Sequence, residues 1–226
     1  MIAELKVVVF DWDGTLMDSE ARILNCLRAA IGDLRLEHRD DAALRNIIGL
    51  GLREAIDTLF PGADAGLHGA LTERYRHHYL TADPTPTPMF PGAVELLREL
   101  AAGDALLAVA TGKGRRGLDQ ALSQSGVAEL FAYTRCSDEA PSKPHPQMLL
   151  DIMSRLGAEQ HETLMIGDSE YDILMAKNAG THALAVGYGV HDKARLLQHA
   201  PLGCVESIAD LRAWLFGRTQ RTAAVS

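Results

Sequence analysis

The sequence predicts an α/β fold: a parallel β-sheet with helices between its strands and one long helical insert. Short apolar segments rich in β-branched residues recur along the chain, and helical patterns separate them from Leu106 onward. No convincing strand occurs between Met17 and Pro88. Strands that alternate with helices pair in parallel through right-handed crossovers. The predicted strands span residues 7–10, 106–110, 131–135, 164–166, 183–186 and 204–206.

Composition narrows the class of protein. The chain has 226 residues, of which 47% are hydrophobic and 23% charged, as in a soluble globular protein with one sizeable core and room for an insert. A net charge of -8 argues against binding to nucleic acid or to an anionic membrane. Three distant cysteines indicate neither a disulfide framework nor a zinc site. With no apolar stretch near ~18 residues and no signal segment, we expect a cytoplasmic protein.

The first strand delivers two aspartates into a glycine turn. Asp11 and Asp13 follow Val7–Phe10 one strand period apart, so both carboxylates leave the same side of the chain before Gly14. Two like charges about 4 Å apart repel by about 4 kcal/mol at an effective dielectric constant of about 20. We therefore expect a bound cation, a shared proton, or both. Asp and Gly after a strand are also ordinary turn residues.

The second strand ends in Thr111 and Gly112, and a helix is predicted from about Lys113. A hydroxyl and a free N–H at a helix start suit a phosphate oxygen, because the helix dipole favours an anion there. The alternative is an ordinary N-cap, in which Thr111 satisfies the next turn.

Lys143 lies between serine and proline in the segment SKPHP, after the third strand. The prolines fix the backbone around it and predict a helix start near Pro146. A fixed ammonium can neutralise phosphate or carboxylate charge, although most lysines are simply solvated.

The fourth strand leads into Gly167, followed by Asp168 and Asp172 at positions i and i+4 of a predicted helix. Carboxylates without a neighbouring positive charge fit a hard cation such as Mg²⁺. Alternatively, Asp168 caps the helix and Asp172 lies at its positive end.

Taken in order, DWDGTLMDS, ATGK, SKPHP and GDSEYD resemble the motifs of the haloacid dehalogenase superfamily, over about residues 7–215. The resemblance is to its phosphatase branch with a small helical cap, which includes phosphoglycolate phosphatase and β-phosphoglucomutase. It implies a Rossmann-like catalytic core over residues 1–16 and 89–217 and an all-helical cap over residues 17–88. Residues 218–226 are expected to form a flexible tail.

The resemblance also implies how the motif residues act. Asp11 is expected to attack phosphorus and form an aspartyl-phosphate. Asp13 is expected to protonate the leaving alcohol and then to activate water. Mg²⁺ is expected to bind Asp11, Asp168 and the backbone carbonyl of Asp13.

The remaining motif residues are expected to support the phosphoryl group. Thr111 and the N–H of Gly112 are expected to hold a phosphoryl oxygen, and Lys143 to balance the developing charge. Asp172 is expected either to orient a metal-bound water or to pair with Lys143. Thr15 is expected to close the turn near the phosphate.

The expected substrate is a small-molecule phosphate ester, with phosphoglycolate named first. Arg53, in the glycine-containing segment Gly49–Arg53, is a candidate to contact a carboxylate or sugar hydroxyls, or is a solvated arginine. Dehalogenases and phosphonate hydrolases of the superfamily lack an aspartate at the Asp13 position, and the latter use a cap lysine, which residues 17–88 do not contain. A phosphotransferase of the β-phosphoglucomutase type and a receiver-like phosphoryl-binding module remain the alternatives.

Overall fold

The structure, a computed structural model, describes residues 5–222. Within that range six strands form a single parallel sheet in the order β3-β2-β1-β4-β5-β6. The parallel sheet is confirmed, and each strand ends within one residue of its predicted bounds. The strands are β1 (Val7–Phe10), β2 (Leu106–Thr111), β3 (Phe131–Cys136), β4 (Thr163–Gly167), β5 (His182–Val186) and β6 (Cys204–Val205).

Helices cover both faces of the sheet because successive strand residues point to opposite sides. Val8 and Phe10 of β1 belong to the apolar cluster on one face, and Val7 and Val9 belong to the cluster on the other. The first face packs against α5 (Ala93–Ala101), α6 (Arg115–Ser125) and α10 (Ile208–Thr222). The second packs against α7 (Gln147–Leu156) and α8 (Glu170–Ala179), while the short α9 (Lys193–Leu197) lies beside β5 and β6.

The insert between β1 and α5 is helical and has its own apolar core. Buried residues from each of its four helices pack together in a cluster separate from the two that flank the sheet. The apolar periodicity of the sequence predicts helices over residues 20–30, 41–48, 52–60 and 67–80, and the ends of the four observed helices differ from these by at most three residues. They are α1 (Glu20–Asp33), α2 (Asp41–Asn46), α3 (Leu52–Leu59) and α4 (Ala65–His77), and a π-helical turn (His78–Ala82) follows.

The chain enters and leaves this insert at adjacent points. The backbone N–H of Asp18 donates to the carbonyl of Pro88 over 2.9 Å, and that of Phe90 donates to the carbonyl of Leu16 over 2.9 Å. Two hydrogen-bonded segments therefore join the insert to the sheet and place it beyond the end of β1.

At the C-terminal end, α10 continues to Thr222. The tail predicted over residues 218–226 thus begins within this helix, and residues 223–226 lie outside the described residues. None of the described helices combines the length and the apolar character needed to cross a bilayer.

The carboxyl end of β1 is the point that positions the site. β1 pairs with β2 on one side and with β4 on the other, so the chain order reverses there. Ligands of open α/β sheets bind at such a switch point, because the loops diverge and leave a crevice. The segments that follow β1, β2 and β4 all open onto it.

Candidate active site

Three buried carboxylates meet at the ends of β1 and β4. Asp11, Asp168 and Asp172 can each offer an oxygen within 4.8 Å of the others, and none is more than 1% exposed. The neighbouring pairing of β1 and β4 brings Asp11 and Asp168 together, and the first turn of α8 adds Asp172. The juxtaposition expected from the motifs is therefore present.

Lys143 supplies the positive charge of this cluster. Its Nζ lies 2.8 Å from Oδ1 of Asp11 and 2.6 Å from Oδ1 of Asp172, and its side chain is fully buried. Burial lowers the pKa of Lys143, but the two carboxylates more than offset this, so the pKa lies above its ordinary value and the ammonium stays charged. Of the two interpretations of Asp172, pairing with Lys143 is the one observed. The predicted start of α7 beside Pro146 is also correct.

One ammonium facing three carboxylates leaves surplus negative charge. Burial raises the pKa of Asp11 well above its usual value, Lys143 lowers it, and Asp172 and Asp168 raise it again. Burial and the charge of Asp172 raise the pKa of Asp168 to about 7. Oδ2 of Asp11 is buried without a hydrogen-bond partner among the described residues. Hard oxygen donors and excess negative charge together fit a divalent cation such as Mg²⁺.

Asp168 is held in place through both of its oxygens. Thr15 Oγ1 donates to Oδ1 over 2.8 Å, and the backbone N–H of Val190 donates to Oδ2 over 2.9 Å. Gly14 has a left-handed φ of +80°, and a Cβ there or at Gly189 would overlap the carboxylate. Thr15 is itself fully buried, so it orients a carboxylate here instead of facing the cavity. The contacts from Gly189 and Val190 were not predicted from the sequence.

Ser169, not Asp168, is the N-cap of α8, so the interpretation of Asp168 as a cap is wrong. Asp172 Oδ2 accepts from both the backbone N–H of Ser169 over 3.1 Å and its hydroxyl over 2.6 Å. This capping box fixes one oxygen of Asp172 and leaves the other for Lys143. Asp172 therefore completes the N-terminal cap of α8 and also pairs with Lys143 in the charge cluster.

Asp13 lies apart from the three clustered carboxylates and lines the neighbouring cavity. Its Oδ1 accepts from the hydroxyl of Ser19 over 2.6 Å, and its Oδ2 pairs with Nζ of Lys113 at 3.0 Å. Lys113 Nζ also donates to the phenol oxygen of Tyr79 over 2.9 Å. Burial lowers the pKa of Lys113, but Asp13 and Tyr79 raise it to a net value above the ordinary one.

Lys113 and its partners were missed by sequence reasoning. The sequence predicted a helix from about Lys113, whereas α6 begins at Arg115, with Gly114 as its N-cap. The carboxylate of Asp138 accepts the backbone N–H of Arg115, so the first turn of α6 is satisfied by a side chain. Lys113 therefore remains in the loop, facing Asp13. The pattern Thr-Gly-Lys after an apolar strand was the available signal.

Thr111 and Gly112 lie where expected, at the end of β2. Thr111 is 1% exposed, and its Oγ1 accepts the backbone N–H of Lys113 over 3.1 Å, so it closes a turn but does not cap α6. Both residues line the cavity beside Asp11. A Cβ on Gly112 would lie 2.5 Å from the carbonyl oxygens of Gly49 and Leu50, so the insert packs directly against this turn.

Similarity to known proteins identifies the family of this chain. A family model described as "Haloacid dehalogenase-like hydrolase" matches residues 8–186. The chain belongs to that family.

Two curated relatives are named for phosphatase activity. A protein named "Probable phosphatase IndB" from Dickeya dadantii is 35% identical over 91% of each chain. The N-acetylmuramic acid 6-phosphate phosphatase of Pseudomonas putida is 32% identical over 82% of this chain and 84% of the relative.

A third relative is also named as a phosphatase, and a solved structure has the same fold. The phosphoglycolate phosphatase of Mesorhizobium japonicum is 30% identical over 83% of this chain and 85% of the relative. A crystal structure of a hydrolase from Pseudomonas syringae shares the fold, with a TM-score of 0.86, 23% identity and coverage of 94% and 98% of the two chains. The protein is a phosphatase of the haloacid dehalogenase family.

The insert of this phosphatase closes over the site. The backbone N–H of Gly51 donates to the hydroxyl of Ser142 over 2.6 Å, next to Lys143. The hydroxyl of Tyr171 donates to the carbonyl of Asn46 over 2.8 Å. Between insert and sheet lies a cavity of about 520 Å³ that reaches Asp11 and Asp13. Arg53 lines its rim as an exposed side chain, so the structure places it near the site but gives it no ion-pair partner among the described residues.

Proposed function

We propose that this phosphatase hydrolyses a small-molecule phosphate monoester through an aspartyl-phosphate on Asp11. The observation that carries the proposal is the unequal hydrogen bonding of the two oxygens of the Asp11 carboxylate. Its Oδ1 accepts the backbone N–H of Trp12 over 2.7 Å and pairs with Lys143, whereas Oδ2 has no hydrogen-bond partner within residues 5–222. A carboxylate held by one oxygen presents the other as an oriented nucleophile.

In the first step, Oδ2 of Asp11 forms a bond to phosphorus while the bond from phosphorus to the alcohol oxygen breaks. Asp13 gives a proton to that leaving oxygen, so the product departs as a neutral alcohol. In the second step, Asp13 takes a proton from water as the water oxygen attacks phosphorus. The bond to Asp11 then breaks, and inorganic phosphate leaves.

The other site residues support the phosphoryl group. Thr111 and the N–H of Gly112 hold a phosphoryl oxygen, and the Lys143 ammonium balances the charge that develops on it. Mg²⁺ is the expected cofactor: Asp11, Asp168 and the backbone carbonyl of Asp13 would hold it, and it would neutralise phosphate and carboxylate charge. Phosphoglycolate is one candidate ester, since several relatives are named for it.

The test is phosphate release from a panel of small phosphate esters with Mg²⁺ and with EDTA. Asp11→Asn keeps the shape of the side chain and removes the nucleophilic oxygen, so release should vanish in a folded variant. Asp104→Asn changes an exposed aspartate in the loop before β2 and serves as the matched control. Asp11-dependent release that requires the metal supports the proposal. Equal rates in the two variants would refute the aspartyl-phosphate, and a phosphoprotein stable for minutes would indicate a phosphoryl-binding module.

A further inference from the structure

The cavity over the site is larger than a two-carbon alcohol needs. Its volume of about 520 Å³ lies well within the range of roughly 300–1,000 Å³ that accommodates drug-sized ligands. Asp11, Thr111 and Gly112 line the end at which the phosphoryl group binds. The rest of the space therefore belongs to the alcohol half of the substrate.

The wall of the cavity on the side of the insert is apolar. It is formed by α1 and by the segment between α2 and α3, and the side chains Ile23, Leu27 and Ile47 are each at most 6% exposed. Leu50 and Leu52 extend the same wall. Phosphoglycolate carries no apolar surface to cover these side chains, because a carboxylate follows its single methylene group. Ile23, Leu27 and Ile47 are already shielded within the insert's own core, whereas Leu50 and Leu52 are half-buried and keep apolar surface in contact with water. A larger alcohol would cover that surface.

One face of α4 and of the π-helical turn that follows it adds polar groups to the cavity. Thr72, Tyr75, Arg76 and Tyr79 recur at helical spacing, and all four line the cavity. The phenol of Tyr79 is already bonded to Lys113. The phenol oxygen of Tyr75 has no hydrogen-bond partner among the described residues, although its ring lies 5.7 Å from that of Tyr79 with the planes 30° apart. Burial raises the pKa of Tyr75, so its hydroxyl keeps the proton and can both donate and accept.

The rim of the cavity is charged, which excludes a long alkyl chain as the occupant. Five side chains of both signs lie there: Arg53, Glu54, Arg76, Arg116 and Asp138. A suitable occupant packs against the apolar wall, hydrogen-bonds to the Tyr75 hydroxyl and pairs polar groups with the charged rim. Such a molecule has one apolar face and several polar substituents. Sugars and nucleosides have this character, and their rings stack on tyrosine.

We propose that the alcohol half of the substrate is a ring-bearing polyol, a sugar or a nucleoside, seated on the apolar wall with a polar substituent on the Tyr75 hydroxyl. This assignment rests on the phosphatase function proposed above and narrows its substrate class. It disfavours phosphoglycolate as the preferred ester.

The first experiment compares kcat/KM of the wild-type enzyme for four esters with Mg²⁺: glucose 6-phosphate, uridine 5′-monophosphate, glycerol 3-phosphate and phosphoglycolate. We expect at least one ring ester to exceed both acyclic esters by about tenfold or more, since even one well-buried methylene is worth about 10-fold. The preferred ring ester distinguishes a sugar from a nucleoside. Equal or higher kcat/KM for phosphoglycolate would overturn the assignment.

Two variants test the cavity itself. Tyr75→Phe removes only the unpartnered hydroxyl and should lower kcat/KM for the preferred ring ester by about 2- to 10-fold. Thr72 is half-buried and lines the cavity, so Thr72→Phe should narrow it. The ratio of kcat/KM for the ring ester to kcat/KM for the acyclic esters should then fall by about tenfold. Thr58→Phe, on the exposed side of α3, is the matched control and should leave that ratio unchanged. An unchanged ratio in both cavity variants would also overturn the assignment.

Binding separates this inference from the proposed mechanism. Calorimetric titration of Asp11→Asn with each ester and Mg²⁺ measures affinity without turnover. Tighter binding of a ring ester supports the assignment even if wild-type turnover proves independent of Asp11, in which case the proposed mechanism alone fails. Equal affinity for all four esters would contradict the assignment, whatever the turnover data show.

Discussion

Replacing Lys143 by methionine keeps the length of the side chain and removes the ammonium from the carboxylate cluster. The ammonium Nζ lies 2.8 Å from Asp11 and 2.6 Å from Asp172, and no solvent reaches it. In the variant, Asp11, Asp168 and Asp172 are left buried without a positive partner. We expect lower stability, lower activity, and stronger dependence of folding on a bound cation.

The size of the effect follows from these distances. At an effective dielectric constant of about 20, each ion pair contributes about 6 kcal/mol of Coulomb attraction. The variant no longer has to desolvate an ammonium, and raised carboxyl pKa values let the cluster take up protons, so the net loss is smaller. Removing one partner of a buried pair lowers the free energy of unfolding by about 3–5 kcal/mol. Because Lys143 also faces the phosphoryl group in the proposed mechanism, kcat should fall by about 10²- to 10³-fold.

Urea unfolding in EDTA and in excess Mg²⁺ measures the stability, and phosphate release measures kcat. Mg²⁺ should restore more stability to Lys143→Met than it adds to the wild type, because the cation replaces the missing positive charge. Lys177→Met is the matched control: Lys177 is exposed near the end of α8, and its loss should cost less than about 1 kcal/mol. If the two variants unfold at the same urea concentration in EDTA, Lys143 does not balance the cluster and the reasoning is refuted.

Three further predictions concern neighbouring groups. Without metal, stability should fall as the pH rises from about 4 to about 7, because the pKa of Asp168 is raised from 3.8 to about 7 and the folded state there holds a proton that the unfolded state has lost. Urea unfolding in EDTA measures this fall, of up to about 1.4 kcal/mol per pH unit, and a rise in stability over the same range would contradict it. Gly112→Ala should lower kcat/KM about tenfold or more, because its Cβ would lie 2.5 Å from two carbonyl oxygens of the insert. Gly69→Ala, with open space around its Cβ, should keep wild-type kcat/KM, and equal values for these two glycine variants would argue against close packing of the insert. Lys113→Met should lower kcat about tenfold for alkyl phosphates but much less for p-nitrophenyl phosphate, whose leaving group needs little protonation by Asp13. Equal losses on both esters would show that Lys113 does not position Asp13.

The sequence determined where the chemistry-bearing residues lie. Asp11, Thr111 and Asp168 were placed correctly because each ends or directly follows an apolar strand, and parallel strands bring their carboxyl ends to one edge of the sheet. The helices of the insert were also predicted correctly, because their apolar periodicity is a local property of the sequence. For Lys143 the residues alone left a solvated lysine open, and its role came from the family resemblance; the structure buries its ammonium between Asp11 and Asp172.

Details of individual turns were less predictable. The start of α6 was placed two residues early, because Asp138, distant in sequence, caps Arg115. The alternative interpretation of Asp168 as the cap of α8 was wrong, because Ser169 takes that position and forms a capping box with Asp172. Thr15 was expected near the phosphate, but it donates to Asp168. Such choices depend on which partner lies within hydrogen-bond distance once the fold has formed.

The sequence by itself therefore determined the fold class, the family and the carboxylate cluster, because local strand and turn patterns carry that information. Only the tertiary structure decided the partners of Asp13, the burial of Lys113 and the size of the cavity. Tyr79 and Lys113 are 34 positions apart in the chain, and they meet only because the insert packs against the sheet. The unpartnered hydroxyl of Tyr75 and the apolar wall beside it arise from the same packing. The proposed substrate preference depends on the space between two packed units, and no local pattern in the sequence encodes that space.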